Sequence, residues 1–115
     1  VQLYRAPFLA DIEVPWVQQR REELQSKYTQ ALINLGRYHQ RRGELDRALG
    51  YLLRALREKP DWEDVHRDVM MIYHQQGRID DAIAQYRHLE RTLQRMFKIA
   101  PSEQTRRLLE SIRSR

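Results

Sequence analysis

The sequence predicts an all-α fold built from two similar helix pairs and one terminal helix. Apolar residues recur at steps of three and four along most of the chain, and the period-two alternation of a strand is never sustained. The four glycines and four prolines mostly separate these stretches. A motif also repeats at an offset of 34 residues, which indicates that one helix pair is used twice.

Composition limits the chain to one small domain. It has 115 residues, of which 41% are apolar, enough for a single modest core. The mean hydropathy is -0.83, and no apolar run reaches the roughly 18 residues that a membrane span needs. The absence of cysteine excludes disulfides, thiolate zinc sites and cysteine nucleophiles. It also suits a reducing compartment, so we expect a cytoplasmic protein.

The first helix is predicted to follow an irregular entry segment. Pro7 and Pro15 bracket the irregular stretch APFLADIEVP, so residues 1–14 form the entry segment. Proline suits the first turn of a helix, so the helix should begin at Pro15. It should run to Arg42, where Gly43 supplies a left-handed stop. Its inward stripe is predicted to be Val17, Leu24, Tyr28, Ala31, Leu35 and Tyr38.

Four further helices follow from the breaks. The second should span residues 45–58, and the third residues 62–76 with Asp61 as its N-cap and Gly77 as its stop. The fourth should span residues 79–98 and end before Pro101. Ser102 then opens a fifth helix that caps the array. Trp16 and Trp62 lie in first turns, where packing against the preceding loop is favoured over a recognition role.

The repeat places small residues where helices should approach closely. Three pairs of residues carry its signature at the 34-residue offset, namely Gly43 with Gly77, Ala48 with Ala82, and Leu52 with Tyr86. A repeat of this length resembles the tetratricopeptide repeat. The first copy also has Leu32, Leu35, Gly36, Ala55 and Pro60 at that family's spacings. This resemblance implies a tetratricopeptide-like α-α superhelix of five main helices.

The flanks resemble a narrower family. Residues 4–24, YRAPFLADIEVPWVQQRREEL, are similar to the entry segment of the bacterial transcriptional activator domain of antibiotic-regulatory-type regulators. Residues 98–112, KIAPSEQTRRLLESI, are similar to the Pro-Ser-x-x-Thr-Arg segment that closes it. The resemblance implies that residues 1–14 are the tail of a preceding element and residues 15–115 the domain. We therefore expect a piece of a longer protein whose DNA reading lies in a winged-helix domain absent from this chain.

Catalysis has little support in the sequence. The four histidines show no HExxH arrangement, and His66 and His74, the closest pair on one helix, are too far apart to chelate one ion. The glycines are isolated and form no phosphate loop. We expect no enzyme activity, no metal and no cofactor.

A partner-binding groove is implied by the tetratricopeptide resemblance, in which the first helix of each pair lines the concave face. The residues that would point into it are Gln30, Ile33, Asn34, Arg37, Gln40, Arg41, Arg67, Met71 and His74. Such a basic groove would suit an acidic peptide or helix. Alternatively, its arginines pair with Asp64 and Asp68, and the sequence leaves both interpretations open.

Two functions remain for the chain. The first is a regulatory protein-interaction module that acts in self-association as a homodimer, or in contacts with a DNA-binding domain or the transcription machinery. A generic tetratricopeptide adaptor in a signalling protein is a variant of this function. The second uses the net charge of +5 for sequence-independent nucleic-acid binding. The residues proposed for that role are Arg20, Arg21, Arg41, Arg42, Arg106 and Arg107. We expect no membrane partner.

Overall fold

The all-α prediction is confirmed by a computed structural model, which describes the backbone of residues 2–114 and the side chains of residues 16–114. No strand occurs within that described backbone. The helices are α1 (Gln2–Arg41), α2 (Leu45–Glu58), α3 (Glu63–Gln75), α4 (Ile79–Phe97) and α5 (Glu103–Arg113). All four predicted breaks between helices therefore fall within a residue or two of the observed ones, and the bounds of α2 agree with the prediction.

The helices pack in the predicted pairs. The most extensive contacts join α1 to α2 and α3 to α4, while α2 against α3 connects the two pairs. Helix α5 packs on α3 and α4 and closes the end of the array. The repeated alanines, Ala48 and Ala82, are fully buried. Leu52 is also fully buried, and Tyr86 is nearly so. This is the tetratricopeptide-like arrangement that the repeat predicts.

The two glycine stops are confirmed. Gly43 has a φ of 77° and Gly77 a φ of 75°, the left-handed conformation that glycine adopts without steric cost. Ser102 caps α5 by accepting a hydrogen bond from the backbone N–H of Thr105. The predicted cap at Asp61 is wrong, because Trp62 takes the N-cap position of α3 and no side chain caps it. Glu63 and Asp64 instead place negative charge in the first turn.

The start of α1 differs from the prediction. The helix begins at Gln2 and passes through both Pro7 and Pro15, where the sequence indicates an irregular segment and a start at Pro15. A proline inside a helix removes one backbone hydrogen bond and its ring crowds the preceding turn, but its fixed φ is helical, so a helix can continue through it. The side chains of residues 1–15 lie outside the described part of the chain, and the domain boundary after residue 14 stays a prediction.

The inward face of α1 was also predicted wrongly. Among residues 16–41 of this helix, the buried ones are Thr29, Leu32, Ile33 and Gly36, and the whole predicted stripe from Val17 to Tyr38 is exposed. A close approach of α2 selects the face that carries small residues, which an apolar count overlooks. Trp16 is likewise 66% exposed, contrary to the predicted packing, whereas Trp62 packs against the core.

Within residues 2–114, no helix combines the length and the apolar character that crossing a membrane requires.

Candidate partner-binding groove

A groove opens between α1, α3 and α5 on the side of the array where the first helices of the two pairs lie. It has a volume of about 460 Å³. Its walls are formed by Arg37, Asp64, Arg67, Asp68, Met71, Gln104, Arg107 and Leu108. We call these eight residues the groove.

Arg37 of α1 is held by two carboxylates of α3. Its Nε donates to Oδ2 of Asp68 at 2.8 Å, and its Nη2 donates to Oδ2 of Asp64 at 3.2 Å. Burial disfavours the guanidinium charge, but the hydrogen bonds and charges of Asp68 and Asp64 outweigh it and raise the pKa of Arg37. Burial also raises the pKa of the Asp68 carboxyl, although Arg37 opposes that effect. For Arg37, the internal pairing that the sequence left open is therefore observed.

Arg67 is engaged at the foot of α5. Its Nη1 donates to Oγ1 of Thr105 at 2.9 Å and lies 3.8 Å from Oε2 of Glu63. That carboxylate oxygen accepts from the backbone N–H of Ser102 at 2.7 Å and from the hydroxyl of Thr105. Burial would raise the pKa of Glu63, but these hydrogen bonds outweigh it and lower the pKa. The cluster fixes the start of α5 against the start of α3.

The side chains at the rim of the groove are more exposed to solvent than those at its floor. Met71 is exposed on α3, and α5 contributes the exposed Gln104 and Arg107 beside the half-buried Leu108. Arg107 donates to Glu103 at 2.6 Å, but both side chains are largely exposed, so the pair is weak. With three arginines and two aspartates in its walls, the groove has an excess of one positive charge.

The predicted groove residues divide into three groups. Arg37, Arg67 and Met71 meet in the groove. Gln30 and Ile33 line an adjoining pocket of about 250 Å³ with Trp62, where Ile33 is only 2% exposed and belongs to the core. The remaining four line neither cavity: they are Asn34, Gln40, Arg41 and His74.

The contribution of α5 was missed. Gln104, Arg107 and Leu108 are spaced i, i+3 and i+4, so they lie on one face of α5. This spacing does not indicate which groove that face lines. The 34-residue repeat carries no information about this helix, because α5 has no counterpart in it. Packing of α5 on α3 brings the three side chains opposite Met71.

His66 is buried away from the groove and is fully hydrogen-bonded. Its Nε2 lies 2.7 Å from the carbonyl oxygen of Pro60, and its Nδ1 lies 2.8 Å from Nε2 of Gln85. Burial lowers the pKa of this imidazole, with His88 acting in the same direction. In the part of the chain that the structure describes, no three His, Asp or Glu side chains are grouped so that they could hold a metal ion.

Comparison with known proteins gives one match. A family model described as the bacterial transcriptional activator domain matches residues 1–113, which includes both flanks that suggested the resemblance. No curated protein and no solved structure matches the chain.

Proposed function

The chain belongs to the bacterial transcriptional activator domain family, and on that premise we propose that it is the protein-contacting module of a bacterial transcription regulator. This family is regulatory and non-catalytic. The module would act in self-association, in contacts with a DNA-binding domain, or in contacts with the transcription machinery. We further propose that the groove is the contact surface.

One observation supports the groove most directly: side-chain hydrogen bonds join three helices at its floor, and its rim is exposed. The ion pairs of Arg37 and the hydrogen bonds of Arg67 fix three helices relative to one another. Above them, Met71 and Leu108 offer apolar area, and Arg107 offers a guanidinium that can leave the weak pair with Glu103. A preorganised surface of this kind suits a protein segment that presents apolar side chains and a carboxylate.

The test compares two methionines. Self-association of the whole chain is measured by sedimentation velocity over a concentration series, and binding to purified bacterial RNA polymerase and to a winged-helix DNA-binding domain by fluorescence anisotropy. Met71→Glu in the groove should weaken at least one of these contacts tenfold or more. Met96→Glu is the matched control, since Met96 is similarly exposed on α4 and outside the groove. Equal effects of the two variants on every contact would contradict the groove as the contact surface.

Direct nucleic-acid binding makes a different prediction. Three of the six arginines considered for it have internal partners: Arg42 lies 3.4 Å from Glu44, Arg106 donates to the carbonyl of Pro101, and Arg107 pairs with Glu103. Binding of the chain to a random-sequence duplex that falls steeply with salt would favour that function over protein contact.

A further inference from the structure

The predicted inward stripe of α1 is an exposed apolar surface. We name it the α1 stripe and define it by Val17, Leu24, Tyr28, Ala31, Leu35 and Tyr38, all of which are exposed. Leu24 is 60% exposed and Leu35 is 42% exposed. The steps of seven, four, three, four and three are those of the a and d positions of a heptad, which is the pattern of a helix that packs along another helix. The stripe is continuous from Leu24 to Tyr38, and an exposed apolar stripe of this kind marks an interaction surface.

The internal repeat shows what covers this kind of stripe. A shift of 34 residues carries Ala31, Leu35 and Tyr38 onto Val65, Val69 and Ile72 of α3. Those three residues of α3 are fully buried. They belong to the core cluster that also contains Leu49 and Leu56 of α2, the helix that precedes α3. By the symmetry of the repeat, the α1 stripe is therefore the place for an amphipathic helix packed as α2 packs on α3.

The charged residues around the α1 stripe indicate which charge the flanks of that helix should carry. The helical positions of Arg20 and Lys27 place them along one edge of the stripe, and Arg21 occupies the heptad position between Val17 and Leu24. From α2, Arg54 reaches over and donates to the hydroxyl of Tyr28 at 2.8 Å. A second copy of the chain packed stripe to stripe would bring two such cationic sets together, and like charges across an interface are unfavourable.

We propose that the α1 stripe binds an amphipathic α-helix of a partner protein, with a leucine-type apolar face and acidic flanks. The surface is separate from the groove and shares with the proposed function only the premise that the partner is a protein. Aliphatic side chains of the partner helix pack between Leu24, Tyr28 and Leu35. Its carboxylates lie opposite Arg20 and Lys27 and give the contact its selectivity.

The chain itself supplies the probe. A fluorescent peptide with the α2 sequence, residues 45–58, has the apolar face that covers α3, and a second peptide carries R47E, R54E and R57E in the same sequence. Anisotropy titrations with the whole chain should show the acidic peptide binding at least tenfold more tightly than the parent. Leu24→Glu in the chain should weaken the acidic peptide at least tenfold, and the double variant R20E/K27E should reverse the preference between the two peptides.

Two controls keep this test separate from the groove. Met71→Glu alters the groove and should leave peptide binding unchanged, and Met96→Glu places the same new charge on α4 and should also leave it unchanged. Since Leu24 is largely exposed, the helical circular dichroism of Leu24→Glu should match the parent. If that variant does lose helicity, R20E/K27E tests the proposal by itself.

Three results would overturn the proposal. One is equal binding of the two peptides, or no binding of either. Another is a homodimer of the chain that Leu24→Glu converts to a monomer, because the occupant is then a second copy. The third is binding to phosphatidylserine vesicles that Leu24→Glu abolishes in the absence of any peptide binding, since a basic amphipathic helix can also lie on an anionic membrane.

Discussion

Gly36 of α1 lies so close to Leu52 of α2 that a methyl group in place of its hydrogen would sit 2.6 Å from Cγ and 2.7 Å from Cδ2 of the leucine. The same methyl group would lie 3.4 Å from the carbonyl oxygen of Ala48. Leu52 is fully buried and cannot turn aside into solvent. The crossing of α1 and α2 therefore depends on the missing side chain at Gly36.

The first prediction compares two helical glycines. Gly36→Ala should lower the free energy of unfolding by about 1–2 kcal/mol, because overpacking against Leu52 outweighs the gain in helix propensity. Gly50→Ala is the matched control, since a methyl group there meets no atom within 4 Å. It should raise the free energy of unfolding by about 0.5–1 kcal/mol. Urea titrations followed by circular dichroism measure both, and stabilisation by Gly36→Ala would contradict the close crossing.

Gly36 also shows what the sequence could reveal about the fold. Its spacing to Ala48 and Leu52 matched a helix-pair repeat, so the pairing and the bounds of α2 to α5 could be predicted from breaks and offsets alone. The face that α1 turns inward could not be predicted in the same way. Two faces of α1 compete, and the one with more apolar residues, including Leu24 and Leu35, is the exposed one. Backbone approach, which favours Gly36 and Thr29, decides the outcome, and it becomes visible only when α2 is in place.

The second prediction concerns the docking of α5. Glu63 accepts hydrogen bonds from the N–H of Ser102 and the hydroxyl of Thr105, so its carboxylate stabilises the first turn of α5. Glu63→Gln should weaken both bonds and cost about 1–2 kcal/mol. Amide hydrogen exchange should accelerate across residues 103–113 more than across α2. The control is Glu103→Gln, which removes an exposed charge from α5 itself. A comparable acceleration of exchange in this control would contradict the role of Glu63.

The third prediction is a pH dependence carried by His66. Burial lowers the pKa of its imidazole in the folded chain below the ordinary value of 6.5. The hydrogen bond to the carbonyl of Pro60 and the charges of Glu63 and Asp61 oppose this effect, and His88 adds to it. The unfolded chain therefore takes up the proton first as the pH falls. The free energy of unfolding should decline once the pH drops below about 6.5, with a slope of at most about 1.4 kcal/mol per pH unit from this group.

The measurement is a series of urea titrations between pH 7.5 and 5.5. His66→Gln should flatten the slope in this range whatever its effect on absolute stability. His74→Gln, a half-buried histidine on the same helix, should retain it. The same slope in parent and His66→Gln would show that another group carries the titration.

The partner of Arg37 in the groove is a second feature that could not be predicted from the sequence. The tetratricopeptide resemblance implied that Arg37, Asp64 and Asp68 share one concave face, but whether the arginine faces a partner or the aspartates depends on the distance between α1 and α3. The structure sets that distance so that Nε of Arg37 reaches Asp68 at 2.8 Å. A pattern within one helix contains no measure of such a separation.

The last prediction is an asymmetry within this ion pair. Asp68 is 16% exposed and Arg37 is 36% exposed, so the aspartate bears more of the desolvation. Arg37→Met leaves a buried carboxylate without its donor and should cost about 1–2 kcal/mol, after allowance for the partial exposure of Arg37. Asp68→Asn removes the desolvated charge together with the pair and should cost less, about 0.5–1 kcal/mol. Asp64→Asn, at a carboxylate that is 58% exposed, should change the free energy of unfolding by no more than about 0.5 kcal/mol.

The cost of Arg37→Met should also depend on pH. Burial already raises the pKa of Asp68, and loss of Arg37 raises it further. The loss of stability in Arg37→Met should therefore shrink as the pH falls and Asp68 takes up a proton. Urea titrations of the three variants at pH 7.5 and 5.0 measure this order, and a larger cost for Asp68→Asn than for Arg37→Met would show that the pair stabilises the fold more than its burial destabilises it.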